Sequence, residues 1–241
     1  MFPIRDHNPS ERTPYVTIGL ILINVVMFLL TMPWAFGMID LWNRLALYPI
    51  AVVNGEYLWG LISHMFLHAG FFHILGNMLF LWVFGDNLED QMGHLPFLIF
   101  YLACGLAAAA AQIATSPYES IPMVGASGAV AGVLGGYLLL FPKARVDVLA
   151  IIIILIKIFT IPTWIMLGLW FLLQIYGSIA SIWNASGIAY WAHAGGFIAG
   201  IILALPLFFR LGGTTFWNHT HGHPPHPAAD YVRSRIPPVR R

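Results

Sequence analysis

Uncharged apolar runs recur along this chain, and they decide the solvent in which it can fold. They lie near Val16–Ala35, Met65–Phe84, Leu95–Thr115, Ser127–Phe141, Pro162–Gly177 and Tyr190–Phe209. A bilayer hydrocarbon core takes roughly 20 apolar residues per helical span, and backbone polar groups inside it must find their partners within the protein. The pattern predicts an all-α fold: a polytopic membrane protein built as a six-helix bundle. Composition agrees. Of 241 residues 59% are hydrophobic and only 9% are charged, against about 25% charged in an ordinary soluble domain. The net charge of +1 offers no electrostatic footprint for nucleic acid. A single cysteine, Cys104, excludes an intramolecular disulfide and any multi-thiolate metal site.

Charge and turn residues divide the chain into a short N-terminus (residues 1–14), a membrane domain (15–210) and a Pro-, His- and Arg-rich flexible tail (211–241). The first apolar run lacks a small-residue cleavage pattern, so it is expected to stay in the mature protein. Six spans put both termini on one side. Arg5, Arg12, Lys143, Arg145, Arg210, Arg233, Arg235, Arg240 and Arg241 share that side, whereas Arg44 lies on the other. The positive-inside rule then makes both termini cytoplasmic, in a multi-pass protein of a bacterial-type plasma membrane. The stretch before Pro162 reads as an interfacial apolar piece from which Lys157 can snorkel.

Polar groups within spans are costly, and each is a functional hypothesis. They fall into three clusters near the outer ends of the even-numbered spans: His64, His68, His73 and Asn77 in the second, Ser127 in the fourth, His193 in the sixth. Glycines at four-residue spacing (Gly128, Gly132 and Gly136; Gly196 and Gly200) allow close helix approach, which by itself explains them as packing. If the two glycine faces meet, however, His193 comes near Ser127. A hydroxyl beside an imidazole is the minimum arrangement for a serine nucleophile. The start of the fourth span supplies backbone N–H groups for an oxyanion. His73 and Asn77, four residues apart on one helix face, can add side-chain donors or serve as interhelical glue. On a helix His64 and His68 share a face that His73 does not, and no H-E-x-x-H occurs, so zinc is disfavoured. No acidic residue accompanies His193, which predicts a dyad and not a triad. The tail histidines His219, His221, His223 and His226 are weak evidence for a metal.

These residues resemble the rhomboid intramembrane serine proteases. The likeness rests on Gly125-Ala126-Ser127-Gly128 at the head of the fourth span, on Ala192-His193 with Gly196, Phe197 and Gly200 in the sixth, and on His73 with Asn77, followed by Gly85 and Glu89, in the second. The resemblance implies an enzyme that cleaves transmembrane protein substrates within or near the lipid bilayer, without cofactor or metal. Ser127 would be its nucleophile and His193 its general base and acid. His73, Asn77 and the Ser127 N–H would form the oxyanion hole. The segment after the first span would be a membrane-inserted loop, and span five with "SIWNASG" a lateral gate and cap. The alternative is an inactive rhomboid-like protein that binds membrane clients; such proteins lack the serine or the histidine, and this chain has both. Two positions depart from the family pattern. Gly60 follows Trp59 where Trp-Arg is frequent, and Ala131 stands where some members carry a tyrosine that packs on the histidine.

Overall fold

The computed structural model describes residues 2–8, 10–31, 39–152, 155–180 and 189–220. Strand β1 (Phe2–Asp6) precedes helix α1 (Tyr15–Thr31). Three short helices follow, α2 (Ile39–Leu45), α3 (Pro49–Val53) and α4 (Gly60–Ser63), then a 3₁₀ turn (His64–Phe66). The bundle continues with α5 (Phe71–Met92), α6 (His94–Thr115) and α7 (Ser127–Leu140). A hairpin, β2 (Arg145–Ile152) and β3 (Leu155–Pro162), leads into α8 (Thr163–Ala180), α9 (Tyr190–Arg210) and the short α10 (Thr214–Thr220). Among the described residues, α5, α6, α8 and α9 are long and apolar enough to cross a membrane; α1 and α7 are shorter apolar helices of 17 and 14 residues. Their outward faces are apolar too: Leu22, Val26 and Leu29 on α1, Leu169, Leu172 and Leu173 on α8, and Ile198 and Ile202 on α9 are all exposed. A belt of that extent belongs against lipid. The last four residues expected in the first span, the "SIWNASG" segment and residues 221–241 of the tail lie outside the described residues.

The helical expectation holds, with an extended addition. The stretch before Pro162 is a hairpin, and β1 joins it to make an antiparallel sheet in the order β1-β2-β3. Phe2 pairs with Leu149 and Asp6 with Val146, while Arg145 pairs with Pro162. Asp6 anchors this sheet to the bundle. Tyr137 Oη and Asn87 Nδ2 each donate to its Oδ2 at 2.9 Å. Burial, reinforced by the neighbouring Asp86 carboxylate, pushes the Asp6 carboxyl up to about 7. Part of the region read as tail is ordered as well: α10 buries Phe216, and Trp217 Nε1 donates to the Leu139 carbonyl at 3.0 Å.

The second span is displaced from its expected place. The apolar run Met65–Phe84 followed by the acidic "GDNLEDQMGH" predicts a span that stops at a turn after Phe84; the helix instead begins at Phe71 and continues through Met92, taking in all but the last two of those residues. The reason lies in Glu89, which is buried yet satisfied. Its carboxylate accepts from the Val16 N–H and the Thr17 N–H, each at 2.8 Å, from the Thr17 hydroxyl at 2.7 Å, and contacts His94 Nδ1 at 2.6 Å. An acidic group capping the open N–H groups of another helix also meets the positive end of that helix's dipole. The charge therefore joins two spans where it was expected to separate them.

Inside the bundle, α7 is the hub, packed against α9, α6 and α5. Glycine makes the closest approaches possible. A Cβ on Gly196 would sit 2.1 Å from the Gly128 carbonyl oxygen, one on Gly200 2.0 Å from that of Gly132, and one on Gly135 2.1 Å from that of Phe197. The division of labour differs from the expected one. Added Cβ atoms on Gly128 and Gly132 would meet Ala108 and Cys104 of α6, and one on Gly136 would meet Leu88 and Phe100. The regular stripe on α7 thus makes room mainly for side chains of α6, while its backbone at Gly128 and Gly132, together with Gly135, meets the glycines of α9.

Candidate active site

The loop between α1 and α5 builds the floor on which Ser127 stands. Leu47 and Met123 exchange backbone hydrogen bonds, Leu47 N to Met123 O at 3.1 Å and Met123 N to Leu47 O at 2.8 Å. Gly125 N donates to the His64 carbonyl at 2.9 Å, and Ala126 N points at His68 Nε2 from 3.5 Å. His64 is itself held by its Nδ1 against the Gly60 carbonyl, 2.8 Å away. These two histidines do not share a helix face. His64 lies in the 3₁₀ turn and His68 beyond it, where the ring meets His73 edge-on with centroids 5.1 Å apart. They support the turn that presents the serine.

The departure at Gly60 has a steric cause. A Cβ there would lie 2.9 Å from the Ala46 carbonyl oxygen and 3.2 Å from Leu47 Cα, so no longer side chain fits. The loop is anchored instead by Trp59, whose indole N–H donates to the Arg44 carbonyl at 2.7 Å, and by Ser63 Oγ, which donates to the Leu45 carbonyl at 2.6 Å.

Ser127 is the first residue of α7, and among the described residues no side chain caps that end. The N–H groups of the first turn have no intrahelical acceptor, so they face whatever occupies the site. Gly125 has φ +125°, a conformation that glycine tolerates, and a Cβ on it would lie 2.7 Å from His73 Nε2. Its bareness lets the His73 ring approach the backbone beside Ser127. His193, one turn into α9, faces the serine across the close α7–α9 contact, with Nε2 2.8 Å from Ser127 Oγ. Its other nitrogen, Nδ1, is 2.8 Å from Oε1 of Gln174 on α8. Trp170 lies over the imidazole at a tilt of 34°, and Tyr190 meets it edge-on at 83°.

The pair opens onto a cavity of about 560 Å³, whose lining includes Trp42, His73, Gln112, Glu119, Ser127 and His193. Asn77 does not line it. The Asn77 Nδ2 donates to the His73 carbonyl of its own helix at 2.9 Å, which leaves its second N–H for another acceptor. Among the described residues, no three His, Cys, Asp or Glu side chains converge as a metal site requires. Ser127, His193 and His73 are therefore brought together, with Asn77 less than two turns along from the cavity edge. Gly125, Gly128, Gly132, Gly196 and Gly200 supply the close approaches already described.

The profile of the Rhomboid domain matches residues 55–210, which hold Ser127, His193, His73, Asn77 and Gln174. The chain belongs to the rhomboid family. Over 125 residues it is 36% identical to the putative rhomboid protease YdcA of Bacillus subtilis, covering 52% of this chain and 61% of that protein. It is 33% identical to the mitochondrial Rhomboid protein 1 of Saccharomyces cerevisiae over 153 residues, 59% of this chain and 40% of that one. It is 40% identical over 87 residues to the rhomboid protease GluP of Bacillus subtilis, 36% of this chain and 16% of that one. The matches thus span less than two thirds of these relatives' own lengths. Outside the residues quoted from sequence, this rhomboid domain contributes Gln174 to the site. It is the one amide in the apolar run of α8, and polarity within a span is the signal that would have found it.

Proposed function

We propose that this protein is an intramembrane serine endopeptidase, cleaving peptide bonds in or near the transmembrane segments of membrane-anchored proteins. The observation that carries the reading is the 2.8 Å hydrogen bond between Ser127 Oγ and His193 Nε2 at the edge of a cavity within an apolar bundle. In the reaction His193 Nε2 takes the hydroxyl proton as Oγ attacks the scissile carbonyl carbon. The new C–O bond places negative charge on the carbonyl oxygen, and the first-turn N–H groups of α7 with His73 are the nearest donors to it. Asn77 adds its second amide N–H. The C–N bond then breaks, His193 hands its proton to the leaving amine, and an acyl-enzyme remains on Ser127. Water activated by the same imidazole releases the acyl group. No cofactor or metal takes part.

The names of the curated relatives, two of them given as rhomboid proteases, support the same activity class. The distribution of arginine and lysine supports cytoplasmic termini, with residues 1–14 and 211–241 flanking a membrane domain of residues 15–210 and the site toward the outer face of a plasma membrane. Substrate proteins and lipid are its partners on this reading.

The test is reconstitution into vesicles with a single-span reporter whose helix carries destabilising residues. Wild type cleaves it in the presence of a chelator and is labelled by a serine-directed fluorophosphonate, and Ser127→Ala and His193→Ala do neither. Equal cleavage by all three proteins would overturn the dyad, and wild type that neither cuts nor labels would overturn the protease assignment and leave client binding as the function.

A further inference from the structure

We infer that Gln174 is a positioning residue of this site, setting the tautomer and orientation of His193 from the neighbouring span α8. The inference rests on the Ser127–His193 reading above and extends it. A neutral imidazole carries one N–H and one lone pair. For Nε2 to accept the serine proton, Nδ1 must carry the hydrogen, and a hydrogen on Nδ1 needs an acceptor. Gln174 Oε1, 2.8 Å away, is that acceptor.

The amide is held the right way round. Its Nε2 donates to the Trp170 carbonyl one turn earlier at 3.3 Å, so the oxygen is the end left facing the imidazole. Reversing the amide would present N–H groups to Nδ1 and select the tautomer that cannot deprotonate Ser127. Gln174 is only 9% exposed, so water competes little for either end. Ser178 Oγ donates to the Gln174 backbone carbonyl at 2.8 Å, one turn further on. The same end of α8 is seated on α9 at Gly177, where a Cβ would lie 2.5 Å from the Tyr190 ring, and Tyr190 in turn borders His193. Gln174 thus reaches the imidazole from a closely fitted contact.

Two absences make the amide matter. Among the described residues, Glu119 is the sole carboxylate lining the cavity, and its Oε1 accepts from Ile121 N at 3.2 Å. Ala131 cannot supply the aromatic ring that orients the histidine in some members of the family, and Trp170, which lies over the imidazole here, packs on the ring without selecting its tautomer. A neutral acceptor aligns the imidazole without the charge of an aspartate, so its loss is expected to cost less than the roughly 10⁴-fold seen when a triad selects the wrong tautomer.

The test compares wild type, Gln174→Met, Gln174→Asn and Gln174→Glu in the vesicle assay, with Ser127→Ala alongside. Gln174→Met keeps the side-chain length but removes the acceptor, and is expected to lower kcat by about 10–100-fold with KM little changed. Gln174→Asn withdraws the amide by one methylene and should be slow in the same way, which keeps the inference testable if the Met variant does not fold. Gln174→Glu restores an acceptor and should recover most of the rate. In ¹⁵N spectra of histidine-labelled protein, the His193 signals should report hydrogen on Nδ1 in wild type and lose that preference in Gln174→Met. Wild-type kcat in both the Met and Asn variants, no recovery with Glu, or unchanged His193 signals would overturn the role. Cleavage by Ser127→Ala would instead overturn the dyad itself, whatever Gln174 does.

Discussion

Gly196→Ala tests whether helix spacing, separately from the identity of the site residues, sets activity. The added Cβ would stand 2.1 Å from the Gly128 carbonyl oxygen and 3.0 Å from its carbon. Both are backbone atoms, so no rotamer change relieves the clash. Reaching ordinary contact requires α9 to move away from α7 by about 1.3 Å. Gly196 is one turn from His193 and Gly128 adjoins Ser127, so that displacement acts almost directly on the 2.8 Å bond between them. A separation near 4 Å is no longer a hydrogen bond. Misplacement of about 1 Å costs on the order of 10²-fold in rate. For stability two effects compete. Alanine gains about 1 kcal/mol over glycine in helix propensity, while overpacking costs roughly 1–3 kcal/mol, so the net loss should be small. The variant is therefore expected to remain folded and to cut the reporter about 100-fold more slowly. Folding can be followed by heating with a thiol-reactive dye, because the chain's one cysteine, Cys104, is buried. Gly19→Ala is the control: nothing lies within 4 Å of its added Cβ, so it should leave the cutting rate unchanged and gain only the helix propensity of about 1 kcal/mol. A folded Gly196→Ala protein that cuts at the wild-type rate would refute the reasoning.

Glu89→Ala should lower the unfolding temperature markedly, by an amount corresponding to about 3 kcal/mol, because it removes a buried carboxylate that accepts three hydrogen bonds from the start of α1. Dye unfolding measures this, and a change within a degree of wild type would show that the carboxylate does not join α1 to α5. Asp6 gives stability a pH dependence. Its carboxyl is held at about 7 in the fold against an ordinary 3.8, so the folded state binds the extra proton between those values. The stabilising contribution is full below the lower value and is lost as pH rises through the upper one. Asp6→Asn keeps an acceptor for Tyr137 and removes the ionisation, so its unfolding temperature should fall less than that of wild type between pH 5 and 8; parallel curves would remove Asp6 as the source.

The helical bundle was legible because the bilayer makes it so: six uncharged runs leave few alternatives when every backbone group must be satisfied inside lipid. Boundaries were less legible wherever charge was taken as punctuation. Glu89 is charged and yet buried, since its partners are backbone N–H groups of a helix more than seventy residues away, and no local pattern records a long-range cap. The β1-β2-β3 sheet escaped for a related reason. Its strands lie on either side of four bundle helices, and an apolar stretch such as that before Pro162 has no periodicity to tell strand from helix.

At the site, residue types were more legible than contacts. Three polar clusters at one depth singled out Ser127, His193, His73 and Asn77, but spacing along α7 did not record that its glycines meet α6 as well as α9. Gly128 and Gly132 leave room for Ala108 and Cys104 of α6 while their backbones meet Gly196 and Gly200 of α9, and that approach also uses Gly135, which stands outside the four-residue repeat. A repeat says that a face is small, not which helix lies against it. Gln174 shows the converse error. A carboxylate partner for His193 would announce itself by its charge in an apolar run; an amide attracts less notice, though it too is costly to bury without a hydrogen bond. Trp170 packs on the imidazole where Ala131 cannot, but for Nε2 to take the serine proton Nδ1 still needs an acceptor from some other element. A lone amide in α8, at 9% exposure and 2.8 Å from Nδ1, satisfies both requirements at once: the amide's need for a donor and the imidazole's need for an acceptor.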